Sequence, residues 1–174
     1  MVRYAEPGTV EWVESDGGPL VAVPETVLPF WAGADGDDLA SDYDRACEID
    51  GTFGLLPVGD RTALVLGDEP AATCYLPEHG TFVRWCAAET EDELLAAVPD
   101  ALATADWTDD VRWDVPGPIV LFDSAWPGPH TDRADSLRVT LEPGPYAVRS
   151  ATVRPGPETW LALVQLRALD GPRT

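Results

Sequence analysis

The sequence contains no lysine, and this absence is the first constraint on function. All 11 basic residues of the 174 are arginines, against 31 aspartates and glutamates, so the formal net charge is −20. A phosphate-binding loop of the Gly-x-x-x-x-Gly-Lys-Ser/Thr type cannot form without lysine, and the arginines form no basic stripe. A field of this sign also repels nucleic acid and anionic membranes. The sequence therefore predicts no nucleotide loop, no nucleic-acid binding and no membrane contact.

Cysteine, histidine and long apolar runs are also scarce. Cys47, Cys74 and Cys86 have no disulfide-framework spacing, and no CxxC pair or fourth ligand beside Cys74, His79 and Cys86 favours zinc. No apolar run reaches the roughly 18 residues of a membrane span. The first residues turn polar at once, unlike a secretory signal. We therefore expect a cytoplasmic protein with reduced thiols and without metal or other cofactor.

Catalytic motifs are equally sparse. The Gly-x-Ser-x-Gly nucleophile motif is absent. The Asp-rich stretch 35–44 departs from the EF-hand pattern at Leu39, Ala40 and Ala46, so calcium is not expected. Ser124 can be paired on paper with one of two histidines, but a serine that ends a strand is the simpler interpretation. The sequence predicts a protein that is not an enzyme.

Turn-forming residues divide the chain into short segments. Seventeen prolines and 15 glycines separate β-branched and aromatic runs, a pattern typical of strands joined by turns. Strands are predicted at residues 9–14, 19–23, 52–58, 62–66, 72–75, 81–87, 111–115, 118–122, 136–141, 146–153 and 159–167, and helices at 25–31, 39–48 and 91–103. The last helix opens with a Thr-x-x-Glu capping box at Thr90 and Glu93. The pattern predicts a strand-rich α+β fold, with a mostly antiparallel sheet, one to three short helices and a C-terminal β-meander.

One domain over residues 1–174 is the expected organisation. Strands and helices mix before about Pro116, whereas no helix is expected after it. Residues 1–115 and 116–174 are therefore possible sub-lobes of one continuous fold. We expect a monomer or a weak dimer.

Carboxylates gather in two segments that also carry aromatic rings. Seven lie between Asp35 and Asp50 with Arg45 as the single internal cation, and a second group lies around Asp106–Asp114. Such charges speed the encounter with a cationic protein, and aromatic anchors slow its release. The candidate partner-binding residues are Trp31, Asp35, Asp37, Asp38, Asp42, Tyr43, Asp44, Trp107, Asp109 and Asp110.

Core packing is the alternative role for the tryptophans. Trp12, Trp85 and Trp160 lie within strand patterns, and we expect them in the core. For the tryptophans near turns, core packing and partner contact both stay open; these are Trp31, Trp107, Trp113 and Trp126.

Several segments resemble the immunity protein 21 family of bacterial polymorphic toxin systems. They are WVESDGGPL at 12–20, PE at 24–25 with Trp31, DYDRAC at 42–47, LGDEP at 66–70, VRW at 83–85, LFDSA at 121–125 and PGPY at 143–146. The resemblance implies a small, largely β cytoplasmic protein that binds a toxin domain encoded beside it and protects the producing cell. It carries over no catalytic residue. The acidity adds the expectation of a cationic toxin, and a nuclease is one such toxin because it binds phosphates.

Two other classes of function stay open. A small enzyme or ligand-binding β-domain would need His79, Cys86 and Ser124 to converge in one pocket. A structural or regulatory module, whose acidity only maintains solubility, would spread its carboxylates evenly over the surface.

Overall fold

The computed structural model describes residues 2–36, 39–67 and 70–169, and these residues form two sheets flanked by short helices. The strands are β1 (Arg3–Tyr4), β2 (Leu20–Pro24), β3 (Phe53–Val58), β4 (Arg61–Leu66), β5 (Thr73–Leu76), β6 (Thr81–Ala87), β7 (Val111–Val115), β8 (Ile119–Asp123), β9 (Ser136–Val139), β10 (Gly144–Val153) and β11 (Trp160–Ala168). The α-helices are α1 (Asp42–Cys47) and α2 (Glu91–Thr104), and 3-10 helices span Glu25–Phe30, Pro77–His79 and Gly128–His130.

Each sheet mixes early and late parts of the chain. Sheet A has the strand order β1-β9-β8-β2-β4-β3, and sheet B has the order β5-β6-β11-β10-β7. Neighbouring strands are antiparallel except for the parallel pair β1–β9. Both sheets therefore contain strands from either side of residue 116.

Successive residues are buried along strands such as β2, β5 and β8, and because neighbouring side chains of a strand point to opposite faces, both faces of each sheet are packed. The two sheets enclose a central core that includes Leu121 and Phe82. The first 3-10 helix and α1 cover the outer face of sheet A, where Trp31 packs with Val21. On the outer face of sheet B, Leu94 of α2 belongs to a third cluster. The order of layers is helix, sheet A, sheet B, helix.

The predicted strand-rich α+β class is confirmed, and most predicted strands are present within a residue or two. The predicted strand 9–14 is wrong, since only the bridge between Val13 and Thr73 forms there. Side chains take the other backbone groups: Arg3 donates to the Trp12 carbonyl (2.8 Å), and Asp135 accepts from the Glu14 N–H (3.0 Å).

The helices begin where capping and proline allow. The first is a 3-10 helix with Pro29 inside it. In α1, Ser41 is the N-cap and helical residues start at Asp42, whereas a start at Leu39 was expected from the sequence. In α2 the helix continues past Pro99 to Thr104. None of the helices in the described part of the chain is long and apolar enough to cross a membrane.

The last four strands do not form one continuous meander. Strands β8 and β9 pair in sheet A, whereas β10 and β11 pair in sheet B. Residues 140–143 connect the sheets, so pairing cannot continue from β9 to β10. A 3-10 helix at Gly128–His130 also occurs where no helix was predicted.

Candidate functional site

Three loops meet at one end of sheet A because of strand register. Leu20 at the start of β2 pairs with Asp123 at the end of β8, and Phe122 pairs with Ser136 at the start of β9. The residues just before β2, just after β8 and just before β9 are therefore neighbours, although more than 100 positions separate the first segment from the other two.

A cleft of about 280 Å³ lies among these loops. It is lined by Glu14, Ser15, Asp16, Asp123, Trp126, Arg133, Ala134 and Asp135. The carboxylate of Asp123 is buried, and it accepts hydrogen bonds from the N–H groups of Asp16 (3.0 Å) and Ala125 (2.9 Å). These two bonds tie the loop before β2 to the loop after β8. The side chain of Trp126 is 37% exposed at this cleft.

Helix α1 adjoins this end of the sheet through Tyr43. The side chain of Tyr43 lies against the buried backbone of Gly18, where an added Cβ would meet the ring at 2.5 Å. Its N–H donates to the carbonyl of Gly33 (3.0 Å). The pKa of Tyr43 is raised, first by its hydrogen bond and charge interaction with Cys47, then by desolvation and by the carboxylates of Asp123 and Asp44. The tyrosine therefore keeps its hydroxyl proton.

A turn after Trp31 completes the surface. Ala34 donates to the Ala125 carbonyl (3.0 Å), and the Gly33 backbone is in close contact with the backbone of Trp126. The turn leads to Asp35, which is exposed. We call the residues joined by these contacts the acidic corner: Glu14, Asp16, Asp35, Tyr43, Asp44, Asp123, Trp126 and Asp135.

Charge at the acidic corner is predominantly negative. Six of its eight residues are carboxylates, while Arg133 lines the cleft and Arg3 forms an ion pair with Asp135. Within the described part of segment 35–50, Arg45 is the one arginine, and it pairs with Asp42. Most carboxylates of the corner are thus exposed to solvent, and arginine side chains do not cover them.

The residues predicted from segment 31–44 have different environments. Trp31 is fully buried and donates from Nε1 to the Ser124 carbonyl (3.1 Å), so the expectation of a surface anchor there is wrong. Asp42 is half-buried, and it accepts from the Ala32 N–H (2.7 Å) as well as pairing with Arg45. Its role is in holding the turn to α1.

Asp35, Tyr43 and Asp44 are the predicted residues that reach the corner surface. Asp44 is exposed, and two hydrogen bonds from Ser41 hold its pKa below the ordinary value. It therefore stays charged in neutral and mildly acidic solution. Asp37 and Asp38 lie outside the described residues.

The second predicted group does not join the corner. Arg149 stacks over Trp107 with 4.2 Å to the ring centroid, and Arg167 pairs with Asp110 (2.7 Å). A further arginine, Arg112, pairs with Asp114 (2.8 Å) at the β7 edge of sheet B. Asp109 is exposed. Three arginines thus accompany the four carboxylates of this group, and Trp113 within it is fully buried.

The alternative pocket of His79, Cys86 and Ser124 does not form. His79 lies in the 3-10 turn before β6, and Cys86 lies near the other end of that strand. Ser124 is fully buried in the turn after β8, where its hydroxyl donates to the Pro19 carbonyl (2.6 Å). Within residues 2–36, 39–67 and 70–169, no three His, Cys, Asp or Glu side chains are arranged to hold a metal ion.

Sequence reasoning missed most of the cleft. Glu14, Asp16, Asp123 and Asp135 are distributed over three segments and form no local acidic run. The signal that unites them is the pairing order β9-β8-β2, which depends on contacts far apart in the chain.

Comparison with known proteins gives a family match. The model of a family described as immunity protein 21 matches residues 11–159. No curated protein and no solved structure matches the chain. The matched segment contains the whole acidic corner, from Glu14 to Asp135.

Proposed function

Because the chain belongs to the immunity protein 21 family, we propose that it neutralises a toxin domain of a bacterial polymorphic toxin system by binding it at the acidic corner. It acts without catalysis and without a cofactor. The observation that carries the proposal is a cleft lined by four carboxylates, those of Glu14, Asp16, Asp123 and Asp135, together with the exposed ring of Trp126.

Negative charge at the corner would increase the rate at which the protein associates with its toxin. Carboxylates on one face attract a cationic surface from a distance, and steered association reaches on the order of 10⁸–10⁹ M⁻¹s⁻¹ at low salt. A fast encounter matters for an immunity protein, since the toxin must be captured before it acts. Trp126 would then supply the anchor that slows release.

A nuclease is the toxin class that best matches this surface. Enzymes that act on nucleic acid present basic clefts to the phosphate backbone. A cluster of carboxylates held by backbone N–H groups, as Asp123 is, presents fixed negative charge of the same kind. The protein would thereby occupy the basic cleft or cover it from one side.

The organisation and location follow from this role. We propose one domain over residues 1–174, in the cytoplasm, as a monomer or weak dimer that forms a complex with its toxin. No nucleic acid or membrane takes part, since the net charge of −20 opposes both.

The test is co-expression with the toxin domain encoded beside the chain, followed by measurement of the dissociation constant. Wild-type protein is expected to rescue growth and to form a complex of one immunity protein per toxin domain. Trp126→Ala is expected to raise the dissociation constant by about tenfold or more, mainly through faster dissociation. Trp107→Ala, at the second aromatic-acidic group, serves as the control and is expected to leave affinity unchanged.

Two results would contradict the proposal at different levels. A chain that neither binds the toxin nor rescues growth would remove the immunity role. Full rescue with unchanged affinity in Trp126→Ala would leave the role in place and exclude the acidic corner as the contact surface.

A further inference from the structure

The edge strands of the two sheets differ in how open their backbones are. The edges are β1 and β3 in sheet A and β5 and β7 in sheet B. Strand β1 has two residues, and β3 contains Pro57, which has no N–H to donate. The outer edge of β5 is bridged by Val13, which exchanges two backbone hydrogen bonds with Thr73 (2.8 and 2.9 Å). In the described part of the chain, the backbone of β7 bonds to β10 alone.

The outer side of β7 therefore offers backbone groups to a further strand. The N–H and C=O groups of successive residues in a strand point to alternate sides, so about half of those in β7 point away from β10. None of the five residues Val111–Val115 is a proline. A free edge of this kind is a template on which another strand can pair.

The charges of β7 indicate which strand would pair there. Arg112 and Asp114 lie on the same face of the strand, form an ion pair (2.8 Å), and have side chains that are 62% and 61% exposed. A second copy of β7, antiparallel about a twofold axis at Trp113, places Arg112 of each copy opposite Asp114 of the other. The strand is thus complementary in charge to itself. An exposed ion pair contributes little to stability, so little is lost when its members exchange partners.

The same register gives Val111 an apolar neighbour. Val111 is 41% exposed, and it lies on the face of β7 that carries the buried Trp113 and Val115. Opposite Val111 of one copy would lie Val115 of the other. Pairing would therefore cover an exposed β-branched side chain, and such cross-strand pairs stabilise a sheet.

We propose that β7 is a dimerisation edge, at which two copies of the chain pair antiparallel about Trp113 and join their five-stranded sheets into one. The pairing involves five residues of each copy, fewer than the 20–30 or so of a standard stable interface, so the dimer forms reversibly. No residue of the acidic corner lies in β7, so this contact does not depend on the proposed function.

The net charge of each copy opposes pairing mainly at a distance. Salt at about 0.15 M screens exposed charges that are more than roughly 8 Å apart. The opposed residues of two paired strands have Cβ atoms only about 4.5–5.5 Å apart, so their attraction is retained. The charges nearest to the contact, Arg112 and Asp114, therefore determine the partner.

The first test is sedimentation equilibrium of the full chain at about 0.15 M salt. Wild type is expected to show a monomer–dimer equilibrium with a dissociation constant below about 1 mM. Arg112→Asp and Asp114→Arg are each expected to raise it about tenfold or more, because each places like charges opposite one another twice. Net charge alone would strengthen the dimer of Asp114→Arg, whose chain is less negative. That result would overturn the proposal, as would a wild type that stays monomeric at 1 mM.

Complementation tests the register. An equal mixture of Arg112→Asp and Asp114→Arg is expected to form a mixed dimer, because the opposed residues then have opposite charges at both positions. The double variant Arg112→Asp, Asp114→Arg restores the pairing within one sequence and is expected to dimerise within about threefold of wild type. A mixture that stays monomeric would exclude pairing about Trp113.

Arg154→Asp is the matched control, since it makes the same change of charge in the loop between β10 and β11. Its dimer is expected to stay within about threefold of wild type, and the same weakening as in Arg112→Asp would overturn the proposal. Urea denaturation of each variant checks that it is folded. A monomeric wild type that binds the toxin domain would overturn the dimer and leave the proposed function standing.

Discussion

At the scale of single residues, Gly33 determines how closely two parts of the acidic corner approach. Its φ of +63° lies in the left-handed region, and an added Cβ would lie 2.5 Å from the Ala125 carbonyl oxygen and 2.6 Å from the Trp126 carbonyl carbon. Both atoms belong to the backbone, so neither can move aside by a change of side-chain rotamer. Only glycine allows the turn before Asp35 to pack on the loop that carries Trp126.

Gly33→Ala is therefore expected to lower the free energy of unfolding by about 1–3 kcal/mol, measured by urea denaturation. Gly156→Ala is the control, since the nearest atom to an added Cβ there is 3.9 Å away. Equal stability of the two variants would show that the corner does not depend on this close approach.

Cysteine reactivity is expected to follow burial. Desolvation is the main cause that raises the pKa of Cys74 to about 12, whereas Cys47 and Cys86 are exposed. Because the thiolate is the nucleophile, the folded protein should react quickly with Ellman's reagent at Cys47 and Cys86 and slowly at Cys74. Denaturant is expected to make Cys74 reactive, and rapid labelling of the folded Cys47→Ser, Cys86→Ser variant would contradict this.

The same shift gives an alkaline limit to stability. The folded pKa of Cys74 is above its ordinary value of 9.0, so its thiol form stabilises the fold below pH 9. That contribution is lost as pH rises from about 9 to about 12, because the unfolded chain releases its proton first. In Cys74→Ala, stability is expected to fall less over this interval, as measured by urea denaturation at a series of pH values.

Residue-scale roles were only partly predictable from sequence. The pattern around Trp31 placed aromatic and acidic residues together, but it could not tell a buried ring from an exposed one. Trp31 and Trp126 both lie near turns, yet Trp31 is fully buried and Trp126 is 37% exposed.

At the scale of elements, the start of α1 is fixed by a capping box. Ser41 accepts from the Asp44 N–H (3.0 Å), and the Asp44 carboxylate accepts from the Ser41 N–H (3.1 Å). The hydrogen bonds from Ser41 lower the pKa of Asp44 from its ordinary value of 3.8. Asp44 therefore stabilises the fold above about pH 4, and this contribution is lost as pH falls through the lower folded pKa.

Ser41→Ala is expected to raise the pKa of Asp44 towards 3.8, as followed by NMR titration of its carboxyl carbon. It is also expected to lower the free energy of unfolding by about 1 kcal/mol at neutral pH, the usual cost of losing an N-cap. Ser15→Ala removes a hydroxyl that bonds outside any helix and serves as the control for Asp44. An unchanged Asp44 pKa in Ser41→Ala would exclude the capping box as its cause.

Helix α2 contains a proline that its packing tolerates. Leu94 and Val98 are buried against sheet B, and the helix runs past Pro99 to Thr104. Pro99 has no N–H for the carbonyl four residues earlier. Pro99→Ala is therefore expected to raise the free energy of unfolding by about 1–3 kcal/mol, whereas Asp100→Ala at the next, exposed position should change it little. A loss of stability in Pro99→Ala would contradict this. It would show that the proline stabilises the fold, either by restricting the unfolded chain or by fixing the backbone of the helix.

Elements with local signals were predicted well, and those held by distant contacts were not. The Thr90 cap and the apolar stripe of α2 are local, and the helix is present as expected. Strand β2 lies between β8 and β4 in sheet A, and neither neighbour is adjacent to it in sequence. The segment 9–14 has strand-like composition, but Arg3 and Asp135 take its backbone hydrogen bonds, and no local pattern reports such partners.

At the scale of the whole molecule, the arginines determine where the negative charge remains. Ion pairs and stacking place Arg112, Arg149 and Arg167 around the β7 edge of sheet B. At the acidic corner, carboxylates from several segments converge with fewer cations. The acidity was evident from composition alone, but the convergence of Glu14, Asp16, Asp123 and Asp135 at one cleft depends on the pairing order of sheet A.

The proposed role of the negative charge at the acidic corner is tested most directly by the rate of association with the toxin domain as a function of salt. Two triple variants each remove three negative charges, one at the corner and one elsewhere. The corner variant is Asp16→Asn, Asp35→Asn, Asp44→Asn, and the remote variant is Asp92→Asn, Asp100→Asn, Glu158→Gln. At low salt the corner variant is expected to associate about tenfold or more slowly than wild type, with a flatter salt dependence. The remote variant is expected to stay close to wild type, and equal slowing of both variants would contradict the account.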